Sequence, residues 1–311
     1  MDTPHVASGS IVVGIDGSSP ANLALDWAAA QAAAEHRPLT LVHARGPLDP
    51  FLVEPAIVDL DLLVEAVSTH ARTILGAAAS RALAAHPDVV VHQLVSDVDP
   101  RETLLELAQQ AAMVVVGSRG RGPIASLLLG SVSLAVSTHA TCPVVVIRPE
   151  DPAFPHDFPH HGVLVGVEGT AASQPALEFA YRLASSRGWM LTVLQCFWDA
   201  RLDGNDPADT FDTGDIIDVT PDDQSRHRLL TDSLDALKAK FPDVHVAVRL
   251  QRGFLDQRLI RLSPSMDATV VGSHHPNLLQ RAVYGSIAPR VVDHAAGAVV
   301  IVPLVNTPAS A

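Results

Sequence analysis

Apolar and polar residues come in alternating blocks along this chain: short β-branched runs, each closed by small or polar residues, separated by longer stretches of helical spacing. Ile11-Val12-Val13-Gly14-Ile15 reads as a strand that ends in Asp16-Gly17-Ser18. Ser18 or Ser19 can cap the following helix, and Pro20 suits its first turn. Leu23, Trp27 and Ala30 then recur at helical spacing to about His36. Leu39 to His43 is a second strand, followed by a loop rich in Pro and Asp and a long helix predicted from about Ile57 to Ala85. Val89 to Val95 is a third strand, and Pro100 opens a helix carrying Leu104, Leu105 and Ala108. A fourth strand, Met113 to Gly117, precedes a helix over Ser131 to His139 and a fifth strand, Val144 to Ile147. Strands alternating with helices predict an α/β fold with a parallel sheet covered on both faces.

The stretch around residues 151–161 is rich in Pro and His and has no apolar period, so it reads as a linker. After it the pattern starts again. Val163-Leu164-Val165-Gly166-Val167-Glu168-Gly169 repeats the opening run, and Leu177-Glu178-Phe179-Ala180 answers to Leu25-Asp26-Trp27-Ala28. Val270-Val271-Gly272-Ser273 answers to Val115-Val116-Gly117-Ser118, Gly285-Ser286 to Gly130-Ser131, and Val299 to Val302 to the fifth strand. A near-constant offset along the whole chain means duplication. The domains expected are 1–150 and 162–311, with 151–161 between them.

The fourth strand ends in glycines: Gly117-Ser118-Arg119-Gly120-Arg121-Gly122, then Gly130-Ser131-Val132-Ser133. Glycines let backbone N–H groups approach an anion, and a helix capped at Ser131 would aim its dipole at the same place. The stretch is either a phosphate cradle or a plain strand–turn–helix connection. A Walker A loop needs a Lys in the loop, and the chain's lysines are Lys238 and Lys240. The dinucleotide fingerprint G-x-G-x-x-G does not fit the spacing either. What fits is G-x2-G-x9-G-[ST], at Gly117, Gly120, Gly130 and Ser131.

That spacing, and the repeat, resemble the universal stress protein family in its tandem, actinobacterial form. The resemblance implies two doubly wound domains, each with a five-stranded parallel sheet in order 3-2-1-4-5. It also implies an ATP site where the winding reverses. Carried over by position, that site comprises Gly14, Asp16, Val42, Gly117, Ser118, Arg119, Gly120, Arg121, Gly122, Gly130, Ser131, Val132 and Ser133. Asp16 would meet the adenine or ribose region or help hold Mg2+; its other reading is a helix cap. Val42, His43 and Ala44 would lie against the adenine, although His43 can equally be a strand-end residue. Arg119 and Arg121 either bind phosphate or form a solvated surface. In the second copy the corresponding positions are Gly166, Glu168, Gly272, Ser273, Gly285 and Ser286, but His275 stands where the motif has Gly and Glu168 replaces Asp16 with a side chain one methylene longer. Both changes argue against a second nucleotide, so one per chain is expected, in residues 1–150.

Net charge of −13 argues against nonspecific nucleic-acid or anionic-membrane binding. No apolar run approaches the length that spans a bilayer, and Met1 to Ser10 has no signal-peptide pattern, so a cytoplasmic protein is expected. Cys142 and Cys196 read as buried free thiols. Adjacent His274 and His275 are weak metal spacing, and no metal site is expected. No hydrolytic constellation is evident. The expected function is an ATP-binding regulator of stress or dormancy, hydrolysing slowly at most. An interaction module with vestigial sites, or a weak ATPase, are the alternatives. The apolar fifth strands, at an edge in the implied order, predict homodimer formation, and a protein partner is expected without the sequence naming it.

Overall fold

The computed structural model describes residues 7–46, 60–119, 129–149, 162–197, 221–273 and 287–303. The chain divides into two compact units, Met1–Glu150 and Asp151–Ala311. In the first, the elements are β1 (Ile11–Gly14), α1 (Ser19–Glu35), β2 (Leu39–Ala44), α2 (Leu60–Ala85) and β3 (Val91–Ser96). They are followed by α3 (Pro100–Leu107), β4 (Met113–Gly117), α4 (Ser131–His139) and β5 (Val144–Ile147). β1 pairs in parallel with β2 and β4, β2 with β3, and β4 with β5. The strand order is therefore β3-β2-β1-β4-β5, the 3-2-1-4-5 order that the resemblance implied. β1, β4 and β5 are uninterrupted apolar runs because both faces of the sheet are covered. α1 and α2 pack together on one face, and α3 and α4 on the other.

The second unit repeats this wiring. It comprises β6 (Val163–Val167), α5 (Gln174–Arg187), β7 (Leu191–Phe197), α6 (Pro221–Lys240) and β8 (Val246–Arg252). α7 (Leu255–Leu262), β9 (Ala268–Ser273), α8 (Ile287–His294) and β10 (Ala298–Pro303) complete it. Its parallel pairs give the order β8-β7-β6-β9-β10. The repeat extends to single backbone angles. Gly17 and Gly169 leave the first strand of each unit with φ of 80° and 69°. His36 and Gly188 close the following helix with φ of 52° and 64°. Such left-handed caps end helices by satisfying their last carbonyls.

Three details of the sequence reading change. The buried stripe of α1 is Ala21, Ala24, Leu25, Ala28 and Ala32, while Leu23 is exposed and Trp27 and Ala30 are half-buried. Alanines bring the helix axis close to the sheet, so the larger side chains are left at its flanks. The third strand starts at Val91 rather than Val89, since the Val89 N–H still donates to His86 C=O (3.2 Å) within a turn. The N-cap of α4 is Gly130, not Ser131, which is the first helical residue. The start of the long helix before Leu60, the 151–161 linker and His274–His275 lie outside the described residues. Among the described residues no helix is long and apolar enough to cross a membrane. Nor does any group of three or more His, Cys, Asp or Glu among them stand ready to hold a metal ion.

Candidate functional site

The carboxyl ends of β1 and β4 lie side by side at the point where the strand order reverses, the place where open α/β sheets bind ligands. Beyond β1, the Ile15 N–H donates to Val42 C=O (2.8 Å), and His43 Nδ1 donates to Ile15 C=O (2.6 Å). A carbonyl only accepts, so that bond fixes the proton on Nδ1. His43 is thus a brace for the strand end, and the Val42 carbonyl is engaged within the sheet. Asp16 follows, half-buried, its Oδ1 accepting the Ser18 N–H (2.9 Å). Ser18 in turn caps α1, its hydroxyl accepting the Ala21 N–H (3.3 Å). The Asp16 carboxylate therefore shapes the turn while remaining at the crevice.

At β4 the chain is latched at several points. The Ser118 N–H donates to Ile147 C=O (2.8 Å), and Ser118 C=O accepts the Gly130 N–H (2.8 Å). The buried Ser133 hydroxyl donates to Gly117 C=O (2.6 Å). Ser118 and Ser133, both proposed as ligand donors from position, have these structural tasks, and the Ser133 hydroxyl is already committed. Gly117 has a packing reason too. A Cβ there would lie 2.7 Å from the Pro20 carbonyl carbon, because the end of β4 runs against the first turn of α1. Gly14 is similar but looser: its Cβ would face Leu104 of α3 at 3.4 Å, an ordinary contact. Neither glycine needs a ligand to explain it.

What remains open is the start of α4. Gly130 caps it in extended conformation (φ −73°, ψ 156°) and, being glycine, supplies no side-chain hydrogen bond to the first N–H groups. The first turn of a helix leaves those donors without intrahelical partners. Ser131 is exposed and Val132 half-buried at this end. The arrangement sets backbone donors and the positive end of the helix dipole beside the ends of β1 and β4. Arg119 is exposed next to it. Gly120, Arg121 and Gly122 lie outside the described residues.

The equivalent place in the second unit is built differently. Glu168 is exposed, and here the turn is bonded the other way round, the Glu168 backbone N–H donating to the Ser173 hydroxyl (3.2 Å). A Cβ on Gly166 would lie 2.7 Å from Leu259 Cδ1 and 3.3 Å from Leu255 Cδ1, both of α7. Leu255, Gly272 and Ile287 help bound a cleft of only about 30 Å³, room for one or two waters. Asp256 on α7, itself buried, pairs with Arg290 on α8 at 2.6 Å and ties the two helices together. Ser273 ends β9 half-buried, whereas Gly285 and Ser286 lie outside the described residues. Sequence reasoning placed the defects of this copy at His275 and Glu168; it missed Leu255, which stands at the α-helix start where the first unit has Pro100.

Both thiols are free, but only Cys142 is buried, while Cys196 near the end of β7 is half-buried; desolvation pushes the pKa of each up to about 12.

The sequence profile of the Universal stress protein family matches residues 8–148 and again 160–303. The chain belongs to the universal stress protein family. It is similar over most of its length to tandem universal stress proteins of mycobacteria. One from Mycobacterium tuberculosis (strain H37Rv) is 32% identical over 311 residues, covering 97% of this chain and 99% of the relative. One from Mycolicibacterium smegmatis is 30% identical over 299 residues, covering 94% and 96%. Among solved structures, a universal stress protein from Archaeoglobus fulgidus superposes with a TM-score of 0.67 at 17% identity, over 96% of this chain and 99% of that one. That likeness concerns the universal stress protein fold, which both units share.

Proposed function

We propose that the first unit binds an adenine nucleotide, ATP in particular, and that the chain serves as a nucleotide-dependent regulator in stress or dormancy. The observation that carries this reading is the start of α4: a helix N-terminus without a side-chain cap, beside the ends of β1 and β4, with Asp16 across the crevice. Triphosphate would rest on the Gly130–Val132 backbone, with Arg119 adding charge. Asp16 would face the sugar, or join phosphate oxygens in holding Mg2+; one carboxylate plus substrate phosphates is a usual Mg2+ arrangement. The described loop ends offer only Arg119 as a cation to stabilise a leaving phosphate, which supports turnover that is slow at most.

In this reading the second unit contributes little nucleotide affinity. The cleft bounded there by Leu255, Gly272 and Ile287 holds only about 30 Å³, too little for a base or a triphosphate. That unit favours an interaction role, and the whole chain is read as a cytoplasmic homodimer that meets a further protein. Calorimetric titration with ATP and Mg2+ tests the central claim. One nucleotide per chain is expected. Two equivalent sites would overturn the asymmetry, and an absence of binding would overturn the function itself.

A further inference from the structure

At the edge of the first sheet opposite the crevice, where the chain enters β2 and β3, the C-terminal ends of α1 and α2 bound a cavity of about 360 Å³. That is within the size range of small-ligand sites. Apolar side chains including Ala32, Pro38 and Val90 line it, together with His36, His86 and Asp88. A helix end carries unfilled carbonyls and about half a negative charge, and two such ends meet here. Neither α1 nor α2 has a basic residue in its last turn. Arg37 borders the cavity, but its Nε is paired with Glu35 (2.7 Å) and its Nη1 donates to Gly9 C=O (2.9 Å). The exposed Asp88 carboxylate has no partner among the described residues. The balance of the cavity is therefore negative.

The second unit builds the same corner and supplies it from its own side chains. α5 ends at Arg187 where α1 ends at Glu35, and α6 ends at Lys240 where α2 ends at Ala85. The turns match bond for bond. Arg37 N–H donates to Ala32 C=O as Trp189 N–H does to Ala184 C=O, and His86 N–H to Ala82 C=O as Phe241 N–H does to Leu237 C=O. By that match Asp243 stands for Asp88, and Ser185 for Ala33. Asp243 Oδ2 accepts the Ser185 hydroxyl (2.6 Å), a donor that Ala33 lacks. The Arg187 guanidinium lies 5.2 Å from the centre of the Trp189 ring, and Lys240 Nζ 5.5 Å from that of Phe241. Cations on apolar stems, resting on apolar rings, thus serve these helix ends, as the helix dipole favours. In the first unit Ala33, Glu35 and Ala85 take the places of a hydroxyl, a guanidinium and an ammonium, and a cavity stands beside an unpartnered carboxylate. Among the described residues no group of three or more His, Cys, Asp or Glu could hold a metal ion. With walls so largely apolar, the complement is an organic cation.

We propose that this cavity is a binding site for a small aliphatic amine, its ammonium donating to Asp88 and to the carbonyls that end α1 and α2, its methylenes against the alanine, proline and valine walls. An ammonium has three donors and no acceptor, which suits a carboxylate and unfilled carbonyls. In their neutral form the imidazoles of His36 and His86 offer further lone pairs. The site is independent of the nucleotide reading. The test titrates the full chain, labelled with 15N, with 1,4-diaminobutane, n-butylamine, 1-butanol and MgCl2 at constant ionic strength, following the backbone amides. Both amines are expected to shift amides of residues 32–38 and 85–90 saturably, and butanol to bind roughly tenfold or more weakly, the scale of lost charged hydrogen bonds. Asp88→Asn should weaken the amines by a similar factor. Ala85→Lys, which gives the first unit the ammonium that the second has, should abolish the saturable shifts. Butanol binding as well as butylamine overturns the inference, and so does Mg2+ saturating the same amides as readily. Shifts scattered over the surface would mean attraction to the net charge of −13 alone and overturn it too. So would amine affinity unchanged in Asp88→Asn. Asp88 and Ala85 are both exposed; were either variant to unfold, the wild-type comparison of amine, alcohol and Mg2+ still decides.

Discussion

Replacing Gly117 by alanine tests the packing at the heart of the crevice. The new methyl would lie 2.7 Å from the carbonyl carbon, 2.8 Å from the carbonyl oxygen and 2.9 Å from the Cβ of Pro20. A comfortable carbon contact is ~3.5–4.0 Å, so something must move. Pro20 cannot turn aside, since it is a ring in the first turn of α1, and two of the three atoms are backbone. The helix behind it is held by Ser18 at its cap and by the fully buried Ala24, Leu25 and Ala28. Overpacking of this kind costs about 1–3 kcal/mol, which for a domain of this size lowers Tm by roughly 2–4 °C per kcal/mol. Gly76→Ala is the natural control. Gly76 lies inside α2 with nothing within 4 Å of a new Cβ, so alanine should stabilise by up to about 1 kcal/mol through helix propensity. Thermal and urea denaturation of the two variants should therefore shift in opposite directions. If Gly117→Ala unfolds with the wild type, the close approach of β4 to α1 is not as described, and the account of that glycine is wrong.

Gly130→Ala separates ligand from fold. The Gly130 backbone angles suit any residue, so the variant should melt within about 1 kcal/mol of the wild type, while ATP affinity by calorimetry falls about tenfold or more as the methyl meets phosphate; unchanged affinity would remove Gly130 from the site. Asp99 gives a pH test. It caps α3 and is held down to about 2 by its hydrogen bond to Arg101. The folded value lies below the unfolded one, so its contribution is present above about pH 4 and is lost as pH falls toward 2. Asp99→Ala should cost about 1 kcal/mol at pH 7 and almost nothing near pH 2 in urea titrations; a difference independent of pH would contradict the cap.

Much of this was legible in the chain because it is written twice. Asp16 and Glu168, or Gly117 and Gly272, could be aligned on each other and their strands counted. The apolar runs of β1, β4 and β5 marked a buried sheet without any structure. What could not be read depends on where helices come to rest. Gly117 suggested phosphate, but the clash it avoids is with Pro20, far away in sequence. Ser133 suggested a donor, but its hydroxyl is spent on Gly117. Leu255 and Leu259 looked like ordinary helix residues until α7 placed them over Gly166.

The bond between Gly130 and Ser118, with Ser118 itself anchored to Ile147, has an evolutionary reach. Both ends of the segment from Arg119 to Leu129 are fastened to the sheet by backbone atoms, which any residue supplies. Lengthening such a closed segment costs little, about 0.6 kcal/mol for each doubling. A lineage can then rewrite the sequence between these two bonds, in length or in charge, while β4 and α4 keep their register. Duplicated chains gain most from this, since one copy can hold an ancestral segment while the other drifts toward a new task.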